Sequence, residues 1–492
     1  MVMSTRILGG VIAIGVAAAT LVVVSLGSLP TVQQRPAGVT VTPVPTPARL
    51  VCPGSVLRLG ELGGENASTA LAIGQPRYVT AATAGSASTV SLQTGGGAVS
   101  GGEPVLVTGD DDTASIAAAE YHDVDSGDYR GLAAAACDVP STDIWLVGGA
   151  TTVGRTTLLT LANPNAVPST AAIEIVGPEG AVEAPGLTGI TVPANGQRTL
   201  SIAGFAPDLA EFVVHVTSRG GPILANLQFS IVRGIEPGGV DIVGATAVPA
   251  TKTVIAGLVV LGADAVSERL GEPGYEDLPT TLRLYVPGEV EAAATVRIIP
   301  EGDSSAEGSS TGGSTAGASF QLVVQPGVVT DVPIESLVDG SYSVIVETTV
   351  PVIAAVRAST VAGVESPGPS TGTTPTGTTS TGTTSAGTSD VAWFAGATPL
   401  GDAAFTSVAP GDGAQLHLAN PGTAPITATI NGAIVTVPGG GAVAMEVFAG
   451  ASYRIDRGAG LFASISFASA GRLASYLISS GANVESPVVI YP

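Results

Sequence analysis

The sequence predicts an all-β protein, in which tandem immunoglobulin-like β-sandwich modules follow one N-terminal transmembrane helix. The 492 residues include 66 glycines and 35 prolines, and the hydrophobic residues are mostly Ala and Val rather than aromatics. This composition is typical of short strands joined by many turns. A recurring order of strand and turn signals supports the β modules, and one long apolar run predicts the helix.

The clearest recurrence lies at residues 145–164, with a weaker copy at residues 393–421. Each copy begins at a Trp, passes a Gly/Ala-rich turn, and enters an alternating strand that ends in Leu-Ala-Asn-Pro. Asn favours a turn and Pro cannot donate to a sheet, so this corner ends the strand. About seven short strands follow within roughly 90 residues of Trp145, the strand density of an immunoglobulin-like sandwich. We interpret Trp145 and Trp393 as the openings of two modules.

The same signals divide the whole chain. The predicted order is a cytoplasmic tip and transmembrane or signal-anchor helix (1–29), a Pro-rich linker (30–49), a degenerate β module closed by a disulfide (50–140), a β-sandwich module (141–245), a β-sandwich module with a disordered insertion near 301–319 (246–365), a Thr/Gly/Ser-rich linker (366–390) and a last β-sandwich module (391–492).

The N-terminal run, residues 7–29, contains no charged residue and is long enough to cross a bilayer. Arg6 precedes it, which predicts a cytoplasmic N-terminus and an extracytoplasmic C-terminal part. The predicted location is therefore the cell membrane, with a single pass. The alternative is a signal peptide cleaved near Leu26.

Cys52 and Cys137 are the only two cysteines, and both follow this export segment. Export favours a disulfide between them, which would stabilise the chain by roughly 4–5 kcal/mol through a closed loop of about 84 residues. The alternative is two unrelated buried thiols. No Cys/His cluster with zinc spacing is present in the sequence.

The charge balance excludes one class of partner. The net charge is −22 and Lys252 is the only lysine, so the chain lacks the basic patch that nucleic-acid binding requires. Ser-x-x-Lys and phosphate-loop motifs are also missing from the sequence. We therefore predict no catalytic residue and no cofactor. His215 and His417 lie in alternating strands and are expected at half-exposed positions.

One acidic stretch is a weak metal candidate. Asp123, Asp125 and Asp128, with Gly127 between the last two, can wrap a calcium ion with carboxylate oxygens. The stretch lacks the downstream Glu of an EF-hand loop. The alternative is a solvated acidic loop.

Several motifs carry a family resemblance. Trp145, the Leu-Ala-Asn-Pro corner at 161–164, Val-Pro-Ala-Asn-Gly at 192–196 and the hairpin from Val216 to Ala225 resemble surface-protein repeats of Gram-positive and related bacteria. With Cys52-Pro53-Gly54 and the stretch from Gly131 to Cys137, the chain resembles an uncharacterised actinobacterial family of single-pass membrane-anchored proteins of unknown function. The resemblance implies tandem β-sandwich architecture and assigns no activity.

These observations lead to one functional expectation and one alternative. We expect a membrane-anchored extracytoplasmic structural or protein-interaction protein without catalytic activity. Its partners would be the lipid bilayer, through residues 7–29, and an extracytoplasmic protein or envelope polymer. The alternative is a protein that binds cell-envelope polysaccharide or another surface ligand.

Overall fold

A computed structural model describes residues 39–41, 47–60, 70–93, 102–111, 114–303, 317–361, 389–469, 471–479 and 488–490. Strands make up 60% of it and helices 3%, so the predicted all-β class is confirmed. The predicted membrane span, residues 7–29, lies outside these residues. Within the described part, no helix is both long and apolar enough to cross a bilayer.

The chain forms two compact parts. In the part made of residues 1–45 and 485–492, strand β1 (Val39–Val41) pairs antiparallel with β35 (Val488–Ile490). The other part, residues 46–484, holds every other element. We divide its strands into four consecutive strand sets.

The elements are as follows. Set 1 contains β2 (Arg49–Cys52), β3 (Leu57–Leu59), β4 (Ala70–Ala72), β5 (Arg77–Ala82), β6 (Ala87–Ser91), β7 (Val105–Gly109), β8 (Ile116–Ser126) and β9 (Tyr129–Ala136). Set 2 contains β10 (Asp143–Val147), β11 (Arg155–Asn163), β12 (Ser169–Gly177), β13 (Gly180–Ala181), β14 (Ile190–Val192), β15 (Gly196–Ser201), a 3-10 helix (Ile202–Gly204), β16 (Val213–Arg219), β17 (Leu224–Arg233) and β18 (Glu236–Val243). Set 3 contains β19 (Ala250–Val260), helix α1 (Ala263–Arg269), β20 (Thr281–Tyr285), β21 (Ala292–Pro300), β22 (Gly302–Asp303), β23 (Ala318–Val324), β24 (Val329–Pro333), β25 (Gly340–Val361) and β26 (Ser389–Ala395). Set 4 contains β27 (Ala403–Ser407), β28 (Ala414–Ala419), β29 (Ile426–Ile430), β30 (Ala433–Val437), β31 (Ala442–Glu446), β32 (Ser452–Asp456), β33 (Phe462–Ser469) and β34 (Arg472–Leu477).

The same strand order recurs along the chain. In set 2 the two sheets run β10-β16-β12-β14 and β15-β11-β17-β18, and in set 4 they run β27-β32-β29-β30 and β31-β28-β33-β34. Set 3 repeats this order, with the long β25 contributing its first half to one sheet and its second half to the other. Set 1 shows a shorter version, β2-β7-β6 and β5-β8-β9, with β3-β4 as an additional pair.

The immunoglobulin-like part of the prediction is not confirmed. In an immunoglobulin constant domain the first strand lies beside the second, whereas β10 pairs with β16, and β11 pairs with β15 and β17. Turn residues reveal where strands begin and end. Which distant strands pair is decided by tertiary packing, and the sequence pattern does not carry that information.

The Leu-Ala-Asn-Pro corner is reproduced in detail. Asn163 and Asn420 are fully buried where β11 and β28 end. The Asn163 Nδ2 donates to the carbonyls of Val167 and Val192 at 2.8 and 3.2 Å. The Asn420 Nδ2 donates at the same two distances to Ala424 and Val437. Each side-chain oxygen also accepts a backbone N–H two residues on.

Trp393 does not open the last strand set. It lies on β26, which pairs with β25 and places Trp393 opposite Arg357. Val361 and Ser389, which lie on either side of residues 362–388, are paired residues of this hairpin. The stretch therefore connects two neighbouring strands of set 3. Residues 366–388 of the predicted linker lie outside the described residues, and its last two residues, Ser389 and Asp390, belong to β26.

Two further sequence predictions fall partly on the described residues. A disulfide joins Cys52 and Cys137, as predicted, across set 1. The expected insertion near 301–319 begins with a strand, because β22 pairs in parallel with β31 of set 4. Residues 304–316 of that insertion lie outside the described residues.

Candidate functional site

The last strands of the four sets, β9, β18, β26 and β34, pack against one another. At their centre lies the carboxylate of Asp390, which is 1% exposed. It accepts the backbone N–H of Leu132 at 2.8 Å, of Val240 at 3.3 Å and of Leu473 at 3.2 Å, one from each of the other three sets. The N–H of Val391 supplies a fourth bond at 2.9 Å. We call this arrangement the Asp390 junction.

Two glycines make room for this carboxylate. Gly131 and Gly239 have φ angles of +155° and +122°, which favour glycine. A Cβ atom on either residue would lie 2.5 or 2.8 Å from the Asp390 Oδ1. Any larger residue at these positions would therefore collide with the acceptor that joins the sets.

Burial favours the neutral form of the acidic groups around the junction. Burial raises the pKa of Asp390 well above its usual value, although the four N–H donors oppose the shift. Burial likewise raises the pKa of Asp241 to about 8. Asp241 lies on β18 and accepts the N–H of Trp393 at 2.7 Å, which links sets 2 and 3.

Trp393 and Arg283 form a second contact between sets 2 and 3. The Arg283 guanidinium lies 4.6 Å from the Trp393 ring centroid and is fully buried. It forms a bidentate pair with Asp331 at 2.8 and 2.9 Å. It also donates to the carbonyls of Gly149 and Phe212 in set 2. A buried charge with this many partners is satisfied and fixes the position of set 3 on set 2.

A buried Ser–His–Glu chain lies between sets 3 and 4. The His417 Nδ1 lies 2.5 Å from the Glu301 Oε2, and its Nε2 lies 2.7 Å from the Ser466 Oγ. Glu301 also accepts the Ser343 hydroxyl and the Gly257 N–H. The order matches a nucleophile, base and orienting acid. However, the side chains of Glu301 and His417 are 0% exposed and Ser466 is 1% exposed, so a substrate cannot reach the hydroxyl.

The other two histidines also contact carboxylates. His215 stacks on Trp145 with ring centroids 3.8 Å apart, and its Nε2 lies 2.8 Å from the Asp143 Oδ1. His122 is buried and lies 3.3 Å from Glu120, whose pKa burial raises. His215 is half-buried as expected, whereas the expectation of a half-exposed position is wrong for His417.

The calcium candidates do not converge. Asp123 pairs with Arg472, and Asp125 pairs with Arg130 at 3.1 Å. Asp128 is exposed in the turn between β8 and β9. Among the residues that the structure describes, no group of three or more His, Cys, Asp or Glu side chains has the geometry to hold a metal ion.

In the described part of the chain, two surface grooves are candidate binding sites. One, of about 600 Å³, lies between sets 3 and 4 and is lined by polar or aromatic side chains of Asp339, Ser341, Gln415, Glu446 and Phe448. The other, of about 490 Å³, lies on the face of β21, β23 and β25.

Sequence reasoning missed the Asp390 junction and the Glu301–His417–Ser466 chain. A weak signal existed for Asp390, because it is the one charged residue in the apolar strand Ser-Asp-Val-Ala-Trp-Phe-Ala. For Glu301 and His417 no spacing signal existed, since 116 residues separate them.

The fold and junction define a class, an all-β protein whose successive strand sets are joined by buried polar groups. The chain belongs to a family of unknown function, DUF5719, which matches residues 79–456. The expectation of an uncharacterised family is thereby confirmed. No curated protein matches the chain.

Proposed function

We propose that this chain is a membrane-anchored extracytoplasmic structural or protein-interaction protein without catalytic activity. Its strand sets would act as tandem β-sandwich repeats that form one rigid body. The observation that carries the proposal is the Asp390 junction, in which one carboxylate binds backbone N–H groups from all four sets. Such a junction favours a fixed shape over movement between modules.

Location and anchoring are part of the same proposal. The disulfide between Cys52 and Cys137 supports an oxidising compartment outside the cytoplasm. Residues 7–29 would cross the bilayer with the N-terminus in the cytoplasm, as in the actinobacterial single-pass proteins that the sequence resembles. The inaccessible Ser466 hydroxyl supports a non-enzymatic role.

A crosslinking experiment tests this function. Intact cells producing the full-length chain are treated with a protein crosslinker that does not cross membranes, and the products are identified by mass spectrometry. We expect discrete crosslinked proteins and full accessibility to the reagent. A chain that the reagent cannot reach, or that yields no crosslinked protein, would contradict the proposal.

A second candidate function is binding of envelope polysaccharide. The groove on β21, β23 and β25 favours it, because hydroxyl and amide groups of Thr295, Gln321, Thr348 and Thr349 line that face and can hydrogen-bond sugar hydroxyls. Retention of the full-length chain on purified cell-wall material, in place of any protein crosslink, would support this alternative.

A further inference from the structure

The groove between sets 3 and 4 carries an unusual side chain. Phe448 lies on its wall and is 80% exposed. An aromatic ring left in water beside a groove is typical of a surface that binds a partner. The ring adds to other apolar residues that line the groove, among them Leu261 and Val447, and we call this site the Phe448 groove.

Carboxylates stand on both walls of the Phe448 groove. Asp339 comes from set 3 and Glu446 from set 4, and both are exposed. Of the ion pairs formed by the described residues, none includes either carboxylate. Between the walls, the Ser341 hydroxyl donates to the Gln415 Oε1 at 3.3 Å, which leaves the Gln415 amide nitrogen as a further donor.

The chain offers these carboxylates few cations of its own. Lys and Arg number 18 against 40 Asp and Glu. Residues 1–38 contain Arg6 and Arg35, and none of the internal stretches outside the described residues, 42–46, 61–69, 94–101, 112–113, 304–316, 362–388, 470 and 480–487, contains Lys or Arg. Within the described part of the chain, no Lys or Arg pairs with the carboxylates of the Phe448 groove.

We propose that the Phe448 groove binds a basic, extended segment of a partner protein. A Lys or Arg side chain of that segment lies over the Phe448 ring, where the ring quadrupole attracts it. Neighbouring cations pair with Asp339 and Glu446, and the net charge of −22 speeds the encounter. This inference rests on the proposed protein-interaction function and names the partner's chemistry.

Peptide binding to the full-length chain tests the inference. The probe is a fluorescent eight-residue peptide of alternating Arg and Ser. The control peptide has the same length and alternates Glu and Ser. Phe448→Ala and Glu446→Gln are each expected to weaken binding of the Arg peptide by about threefold to tenfold. Ile434→Ala removes an equally exposed apolar side chain and Glu179→Gln an equally exposed carboxylate, and both are expected to leave binding unchanged.

Each other outcome overturns the inference. Equal weakening in all four variants means that the acidic surface attracts the peptide without a site. No weakening in Phe448→Ala or Glu446→Gln places binding elsewhere. Binding of a neutral glucan oligosaccharide that Phe448→Ala abolishes, without binding of the Arg peptide, assigns the groove to a saccharide. If the cell-surface crosslinks persist in Phe448→Ala, the assignment of the partner to the Phe448 groove is wrong and the proposed function stands. If the wild-type chain gives no crosslinks, the proposed function itself is contradicted.

Discussion

Trp145 and Trp393 begin two stretches that look alike in sequence and differ in structure. Trp145 lies on the first strand of set 2 and stacks on His215. Trp393 lies on the last strand of set 3, beneath the buried guanidinium of Arg283. By contrast, the corners at Asn163 and Asn420 are alike both in sequence and in structure. The Asn corner forms its hydrogen bonds within its own strand set, so the same sequence gives the same structure twice. The position of an apolar strand depends on which strand it pairs with, so a similar sequence can lie in a different place.

Replacing Asp390 should have the largest effect, because the hydrogen bonds through which its carboxylate joins the Trp393 strand to the other three sets would be lost. Asp390→Ala leaves four buried N–H groups without an acceptor, at about 1–3 kcal/mol each. We expect the free energy of unfolding of the full-length chain to fall by more than about 4 kcal/mol in urea unfolding. Asp402→Ala, at an exposed position, serves as control. If Asp390→Ala were as stable as the wild-type chain, the Asp390 junction would not hold the four sets together.

Removing each Trp separates the two roles. Trp145→Ala and Trp393→Ala should each cost about 3–5 kcal/mol, since both side chains are buried. Hydrogen exchange should show where the loss acts. We expect Trp393→Ala to expose amides of β25 and of β9, β18 and β34, and Trp145→Ala to expose amides of β16. If Trp393→Ala increased amide exchange in set 4 alone, Trp393 would belong to the last module, as the sequence predicts.

The two Asn corners should respond equally. Asn163→Ala and Asn420→Ala each remove two donors and one acceptor from buried backbone groups, so we expect each to cost about 2–4 kcal/mol. Thermal unfolding of the two variants, with the exposed Asp402→Ala as control, measures this. A difference above about 2 kcal/mol between the corners would show that their surroundings, rather than the shared motif, set the cost.

A change of one pH unit should produce the smallest effect. Burial raises the pKa of Asp138 to about 6 and that of Asp241 to about 8 in the folded chain. The folded state therefore binds more protons than the unfolded state above pH 4. Stability falls as pH rises, by about 1.4 kcal/mol per pH unit for each of the two groups, up to pH 6 for Asp138 and up to pH 8 for Asp241. The melting temperature should decrease from pH 5 to pH 8. Asp241→Asn should flatten this decrease, and Glu179→Gln should not. A melting temperature that rises over the range would contradict the assignment.

The sequence by itself determined the all-β class, the disulfide between Cys52 and Cys137, and the Asn corners. Each of these depends on local turn chemistry, overall composition or the small number of cysteines, which a linear pattern records. Only the tertiary structure decided the strand order, the place of Trp393, the Asp390 junction and the contact of His417 with Glu301. These features join residues separated by many tens of positions, and their energy comes from burial and hydrogen bonds that exist only after the strand sets have packed.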